Sequence, residues 1–138
     1  YERLDLEPEA SVIYHQLGII AQERQRFDEA EQWYRKALEN FECLGNRPAM
    51  VDTLAQLGVL RNRQNRLWEA VSWYGQALSI AAEYQMLVAE QILGNLGLIL
   101  KDKGEKEFTD AWKQAFDGEN PPIDALKQAL EQLEGGSD

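Results

Sequence analysis

The sequence contains few of the residues on which secreted, membrane-bound or metal-dependent proteins rely. Of its 138 residues, one is cysteine, one is histidine and four are proline. The single cysteine, Cys43, cannot form a disulfide within the chain, so we expect a reducing compartment and a cytoplasmic location. No apolar run approaches the roughly 20 residues that a membrane-spanning helix needs. We therefore expect no membrane partner.

Basic residues are also scarce. Fourteen lysines and arginines stand against twenty-four acidic residues, which gives a formal net charge of −10. Binding to phosphate groups depends on clustered positive charge, so this balance argues against nucleic acid as the main partner. The first residue is tyrosine rather than methionine, and we expect the chain to be a segment of a longer protein.

The chain does contain an internal repeat. The stretch YHQLGIIAQERQRFDEAEQWYRKAL begins at Tyr14, and LAQLGVLRNRQNRLWEAVSWYGQAL begins 40 residues later, at Leu54. A third copy follows, with Gly97 standing 39 residues after Gly58, but its second half is degenerate. The identical pairs of the first two copies are Gln16/Gln56, Leu17/Leu57, Gly18/Gly58, Arg26/Arg66, Glu29/Glu69, Ala30/Ala70, Trp33/Trp73, Tyr34/Tyr74, Ala37/Ala77 and Leu38/Leu78.

Each copy has the pattern of two helices. Apolar residues recur three and four positions apart, as on one face of a helix, and polar segments separate the helices. The later helices are predicted at about 49–64, 68–84, 87–103 and 107–116, followed by a turn at 117–122 and a last helix at 123–133. The final GGSD is predicted to be a flexible end.

The residues at the shared positions predict how the helices pack. Glycines on the first helix and alanines on the second let two backbones approach closely, while the large Trp and Tyr side chains fill the gaps between hairpins. One hairpin cannot bury both of its apolar faces, so the hairpins must stack into a right-handed solenoid with a concave side. We expect Cys43 to pack within such a structure.

The first two units resemble the tetratricopeptide repeat, with Leu-Gly at positions 7 and 8, Ala at 20, Tyr at 24 and Ala at 27. The resemblance implies an all-α solenoid of three helical hairpins, at about 11–47, 48–86 and 87–118, with a C-terminal capping helix at 123–133. The third unit departs from the pattern at Thr109, where alanine is expected. The 40-residue period resembles the long-repeat subgroup of bacterial signalling ATPase-associated arrays, kinesin light chains and spindle-orientation adaptors.

In this family the first helix of each unit lines the concave groove, which places candidate ligand contacts there. Amides recur immediately before Leu-Gly at Gln16, Gln56 and Asn95, and carboxamides can bond to the backbone of an extended peptide. The alternative is that these amides bond to a neighbouring helix or to water. The lysine, asparagine and arginine clamp of chaperone-docking members is absent. The other groove candidates are His15, Ile19, Gln22, Val59, Asn62, Arg63, Gln91, Leu98 and Lys101.

Eight of the fourteen basic residues are predicted to form a basic rim where the first helices end and turn. They either complement the negative end of each helix dipole or bind an acidic partner. These eight are Arg24, Arg26, Arg61, Arg63, Arg66, Lys101, Lys103 and Lys106.

No pattern in the sequence supports catalysis. His15 has no motif that links it to a nucleophile, and neither metal-ligand spacing nor a phosphate-binding loop occurs. We expect a non-enzymatic module without cofactor or metal that binds a protein or peptide in its groove, within a larger signalling or scaffold protein. The alternative is a structural or oligomerising arm, in which Leu4, Leu6 and Val12 pack against further repeats or another copy. The last helix is predicted to cap the stack, or else to dock on another chain.

Overall fold

The computed structural model describes residues 8–135, which form seven helices and no strand. The fold is an all-α solenoid of stacked helices. Leu4, Leu6 and residues 136–138, on which two of the expectations above depend, lie outside this range. The helices are α1 (Pro8–Glu23), α2 (Phe27–Cys43), α3 (Arg47–Arg63), α4 (Leu67–Glu83), α5 (Val88–Lys103), α6 (Glu105–Ala115) and α7 (Ile123–Gly135).

The first four helices end in the same type of turn, repeated every 20 residues. Gln25, Gly45, Asn65 and Gln85 all have a positive φ, between 53° and 71°. After each of them the next amide donates back across the turn, as Arg26 does to the Ala21 carbonyl at 2.8 Å. This left-handed cap satisfies carbonyls that the end of a helix would otherwise leave unpaired. The chain therefore reverses in the same way four times.

Within each of the first two hairpins, a tyrosine ring lies directly on a glycine of the facing helix. A Cβ atom added to Gly18 would lie 2.5 Å from the Tyr34 ring, and one added to Gly58 would lie 2.7 Å from the Tyr74 ring. Both tyrosines are buried. The glycines are thus required by the close approach of the ring, and α1–α2 and α3–α4 pack along much of their length.

Successive hairpins share one apolar core. Helix α3 packs against α2, and α5 packs against α4. Leu57 and Leu60 of α3 and Leu96 of α5 are fully buried in this shared core. The first helix of the second unit, α3, and that of the third unit, α5, are therefore each covered on one side by the preceding hairpin, as stacking requires.

The third unit breaks the pattern at Gly104. This glycine has φ 92° and ψ 155°, it lies 19 rather than 20 residues after Gln85, and α6 begins immediately after it. Helix α6 consequently packs on α4 rather than mainly along α5, and Phe116, just beyond its end, lies against Gly75. The sequence pattern paired α5 with α6, and the changed turn explains the difference.

Helix α7 occupies the position beside α5 that α6 leaves open. A Cβ atom on Gly97 would lie 2.6 Å from the Leu126 carbonyl oxygen and 3.0 Å from Leu130 Cβ. Leu126 and Leu130 are buried, whereas Leu133 remains 45% exposed. The apolar face of α7 is therefore largely used within this chain, where it closes the C-terminal end of the stack.

The glycine–tyrosine contact gives a direct test of the packing. In Gly58→Ala, the new methyl group must displace the buried Tyr74 ring, which we expect to cost about 1–3 kcal/mol against a gain in helix propensity of up to about 1 kcal/mol. Urea unfolding should show a net loss of stability. Gly135→Ala is the matched control, because no atom lies within 4 Å of its Cβ position. Equal stability of the two variants would contradict this account of the hairpin.

Candidate functional site

The three amides predicted to contact a ligand occupy the same position of α1, α3 and α5. Gln16 is exposed, while Gln56 and Asn95 are partly buried. Among the hydrogen bonds formed by residues 8–135, none involves the side chain of any of the three. Their donors and acceptors are thus not used by a neighbouring helix.

Gln22 does not line the groove as the sequence pattern indicated. It is only 5% exposed, and its Oε1 accepts a hydrogen bond of 2.7 Å from the Tyr34 hydroxyl. Burial raises the pKa of Tyr34 to about 12, and the positive charge of Arg63 acts against this rise. The prediction was wrong because a tyrosine at position 24 of the same hairpin reaches the amide across the two helices.

His15 lies in a cleft between the first two units. Its Nδ1 is 2.9 Å from Thr53 Oγ1 on α3, and its ring centroid is 5.7 Å from that of Tyr34. Val12 and Asp52 help to line this cleft of about 360 Å³. Burial lowers the pKa of His15, and Asp52 partly offsets the effect. Since Thr53 occupies one ring nitrogen, only part of the imidazole is open to a ligand.

The remaining groove candidates separate into two groups. Val59 and Ile19 are partly buried against the core, and Leu98 is 45% exposed. Gln91 and Lys101, by contrast, lie beside α7: Gln91 borders a cavity with Leu133, and Lys101 Nζ is 3.3 Å from Glu134. Gln56 and Asn62, on α3, are therefore the part of the set that lies away from α7.

Arg61, assigned to the basic rim, is instead only 4% exposed. Its guanidinium is 2.5 Å from Glu31 on α2 and 3.1 Å from Glu69 on α4, and it also donates to Gln64 at 2.7 Å. The sequence contained a signal for this, because the matching positions in the other units, Ala21 and Leu100, are apolar and buried as well. An arginine at a core position needs charge partners, and two glutamates provide them.

Most of the rest of the basic rim is neutralised by ion pairs. Within the described part of the chain, only Arg24 and Arg63 of the eight residues have no carboxylate partner. The other pairs are Arg26–Glu29, Arg66–Glu69, Lys101–Glu134, Lys103–Asp102 and Lys106–Asp110. The prediction of a continuous basic rim was therefore wrong, because Arg61 is buried and five of the other residues lie close enough to carboxylates to pair with them.

Arg63, which has no carboxylate partner among residues 8–135, lies on the same helix as the groove amide Gln56. It is exposed, and its charge acts on both Tyr34 and Tyr74. Burial raises the pKa of Tyr74 to about 12, so its hydroxyl stays neutral at physiological pH and offers no negative charge to Arg63. The guanidinium is thus available to an acidic group from outside.

Cys43 is exposed rather than packed, because it falls at the last residue of α2. Across residues 8–135, no three histidine, cysteine, aspartate or glutamate side chains are grouped so as to hold a metal ion. In the same range, no helix is both long and apolar enough to cross a membrane.

The repeated turns, the glycine–tyrosine contacts and the stacked first helices define an α-solenoid built from helical hairpins. A family model of the tetratricopeptide repeat matches residues 9–83, more than half of the chain. The chain belongs to the tetratricopeptide repeat family, whose repeats generally mediate protein–protein interactions and are typically non-catalytic. No curated protein matches the chain at a significant level.

The buried ion pairs predict how stability depends on pH. Burial acts to raise the pKa of Glu31, but hydrogen bonds and charges from Arg35 and Arg61 outweigh it, so the pKa lies below its ordinary value of 4.5. A lowered pKa in the folded state means that this stabilisation is complete above about pH 4.5 and is lost as pH falls below it.

Glu31→Gln should therefore lower the free energy of unfolding near neutral pH, and the deficit should shrink as pH falls below about 4.5. Glu39→Gln is the control, since Glu39 is exposed on the same helix and forms no ion pair within the described residues. Chemical unfolding at several pH values measures both. A deficit that stays constant with pH would show that the carboxylate charge does not act as described.

Proposed function

We propose that the concave side formed by α1, α3 and α5 binds an extended segment of another protein, and that the chain serves as a non-catalytic recognition module of a larger signalling or scaffold protein. The 40-residue spacing of the units supports a place in the long-repeat subgroup. On this basis we propose a cytoplasmic location for the chain. We also propose that its groove recognises the backbone of the ligand as well as its side chains.

The observation that carries this proposal is the row of unused amides. Gln56 and Asn95 stand at matching positions of successive units, partly exposed, and neither forms a hydrogen bond with any residue that the structure describes. Gln22 shows the contrast, because an amide with a structural role here is buried and bonded to Tyr34. An extended peptide exposes N–H and C=O groups along its length, and carboxamides can pair with both.

Arg63 adds a preference to this backbone recognition. It lies on the same helix as Gln56, it is exposed, and no carboxylate within residues 8–135 pairs with it. A ligand with an aspartate or glutamate near this point gains an ion pair, while the surrounding charge of −10 repels acidic ligands elsewhere. The preferred segment therefore carries one or two acidic side chains among uncharged or basic residues.

The amides can be tested without a known ligand. A library of random displayed peptides selects binders to the wild-type chain, and their affinities are then measured by calorimetry. Gln56→Ala combined with Asn95→Ala should weaken binding by roughly 1–3 kcal/mol, the loss expected for two hydrogen-bonding side chains. Gln32→Ala is the control, because Gln32 is an exposed amide on the second helix of the first unit. Unchanged affinity in a folded double variant would contradict the proposal.

The selected peptides also test Arg63. We expect them to be enriched in a single aspartate or glutamate, and their binding should weaken as salt is added. Arg63→Gln should remove most of that salt dependence while leaving the fold intact. Peptides without acidic residues, or salt dependence that survives the substitution, would contradict the assignment of Arg63.

A further inference from the structure

The outer face of α1 exposes apolar positions that the other units bury. Ile13 and Ile20 are 52% and 45% exposed. The matching residues of α3 are Thr53 and Leu60, at 1% and 0%, and those of α5 are Ile92 and Ile99, at 1% and 5%. In both later units the preceding hairpin provides the cover. The same positions of α1 thus have the composition of a helix–helix interface while remaining open.

The charged residues at the two ends of this face are complementary to each other. Glu9, Ile13, Gln16, Ile20 and Arg24 follow one another at steps of three and four residues, so they form a single stripe along α1 and the first residue of the turn that follows it. Glu9 and Arg24 are both exposed, and neither has an ion-pair partner among the described residues. The stripe therefore has one acidic end, one basic end and an uncharged middle in which Gln16 lies between two isoleucines.

We propose that this stripe, the α1 face, binds the α1 face of a second copy of the chain in an antiparallel pair. If the two-fold axis passes between Gln16 and Leu17, Ile13 lies opposite Ile20 of the other copy, and Glu9 lies opposite Arg24. Each contact then occurs twice, which makes the surface self-complementary as a closed dimer requires. Ile13 and Ile20 are seven residues apart, the spacing at which two helices keep contact.

The structure also favours this pairing over head-to-tail stacking of copies. Continued stacking would require the α1 face to cover the last unit of another chain, but α6 and α7 already cover that end and bury Phe108, Trp112, Leu126 and Leu130. One end of the described stack is open and the other is closed. An arrangement that pairs the two open ends covers Ile13 and Ile20 of both copies and stops at two copies.

The dimer is compatible with the groove proposed above but does not depend on it. Gln16 falls at the centre of the α1 face, where a polar residue fixes the register of a helix pair. Gln56 and Asn95 lie on α3 and α5, away from this contact. Loss of peptide binding in the double amide variant would therefore leave the dimer intact, and loss of the dimer would leave those two amides in place.

Sedimentation velocity over a concentration series of the whole chain tests the pairing. We expect the mass of two chains at high concentration, and Ile20→Glu should give a monomer at every concentration. Trp68→Glu is the matched control, because Trp68 is 43% exposed, close to the 45% of Ile20, but lies on α4, and it should leave the dimer unchanged. Circular dichroism establishes that both variants fold.

The charges allow a reciprocal experiment. Arg24→Glu places like charges opposite each other and should weaken the dimer about tenfold. Adding Glu9→Arg to that variant reverses both ends of the stripe and should restore the dimer to within a few fold. A purely structural role for either residue would not produce this rescue.

Three results would overturn the proposal. One is a wild-type chain that stays monomeric up to near-millimolar concentration. Another is a monomer that becomes a dimer only after residues 1–7 are removed, which would show that the start of the chain covers the α1 face itself. The third is a dimer that is insensitive to both Ile20→Glu and Arg24→Glu, since it would form through a different surface.

Discussion

Two residues after the end of each of the first four helices, the backbone adopts the left-handed conformation, and the same hydrogen bond closes the turn each time. Because the turns recur every 20 residues, the two helices of each hairpin meet with the same residues in register. Gly18 meets Tyr34, and Gly58 meets Tyr74. The core, the stacked first helices and the row of amides all depend on this repeated geometry.

The change at Gly104 shows what happens to the packing when this turn geometry is altered. Where the turn is a single residue, Gly104, instead of three, and the backbone differs, α6 does not follow α5 as α2 follows α1. Its aromatic residues pack on α4 instead, and α7 covers Gly97 in its place. A change in one turn therefore converts a repeating unit into a closing one, and it does so with apolar residues that would also suit a regular repeat.

Much of the fold could be predicted from the sequence, because glycine, alanine and aromatic positions recur with a fixed period. The helix bounds of α3 to α7 agree with the prediction to within about two residues, and the tetratricopeptide family is confirmed. The candidate site was harder to predict from the sequence than the fold. The periodicity of one helix contains no information on contacts between helices. It therefore could not show that Gln22 faces Tyr34 instead of the groove, or that Arg61 faces Glu31 and Glu69 instead of solvent. The ligand-binding roles of the groove residues remain predictions.

The burial of Arg61 has a consequence for how the stack comes apart. In a solenoid each unit contacts only its neighbours, so stability divides into terms for single units and terms for the interfaces between them. Arg61 joins Glu31 of the first unit to Glu69 of the second, and separating those units would leave a charged group without its partner, which is costly. No ion pair between described residues joins α4 to α5, α6 or α7 in the same way. Arg61 therefore couples the first unit to the second by charge, whereas the third unit is held to α4 through the shared apolar core.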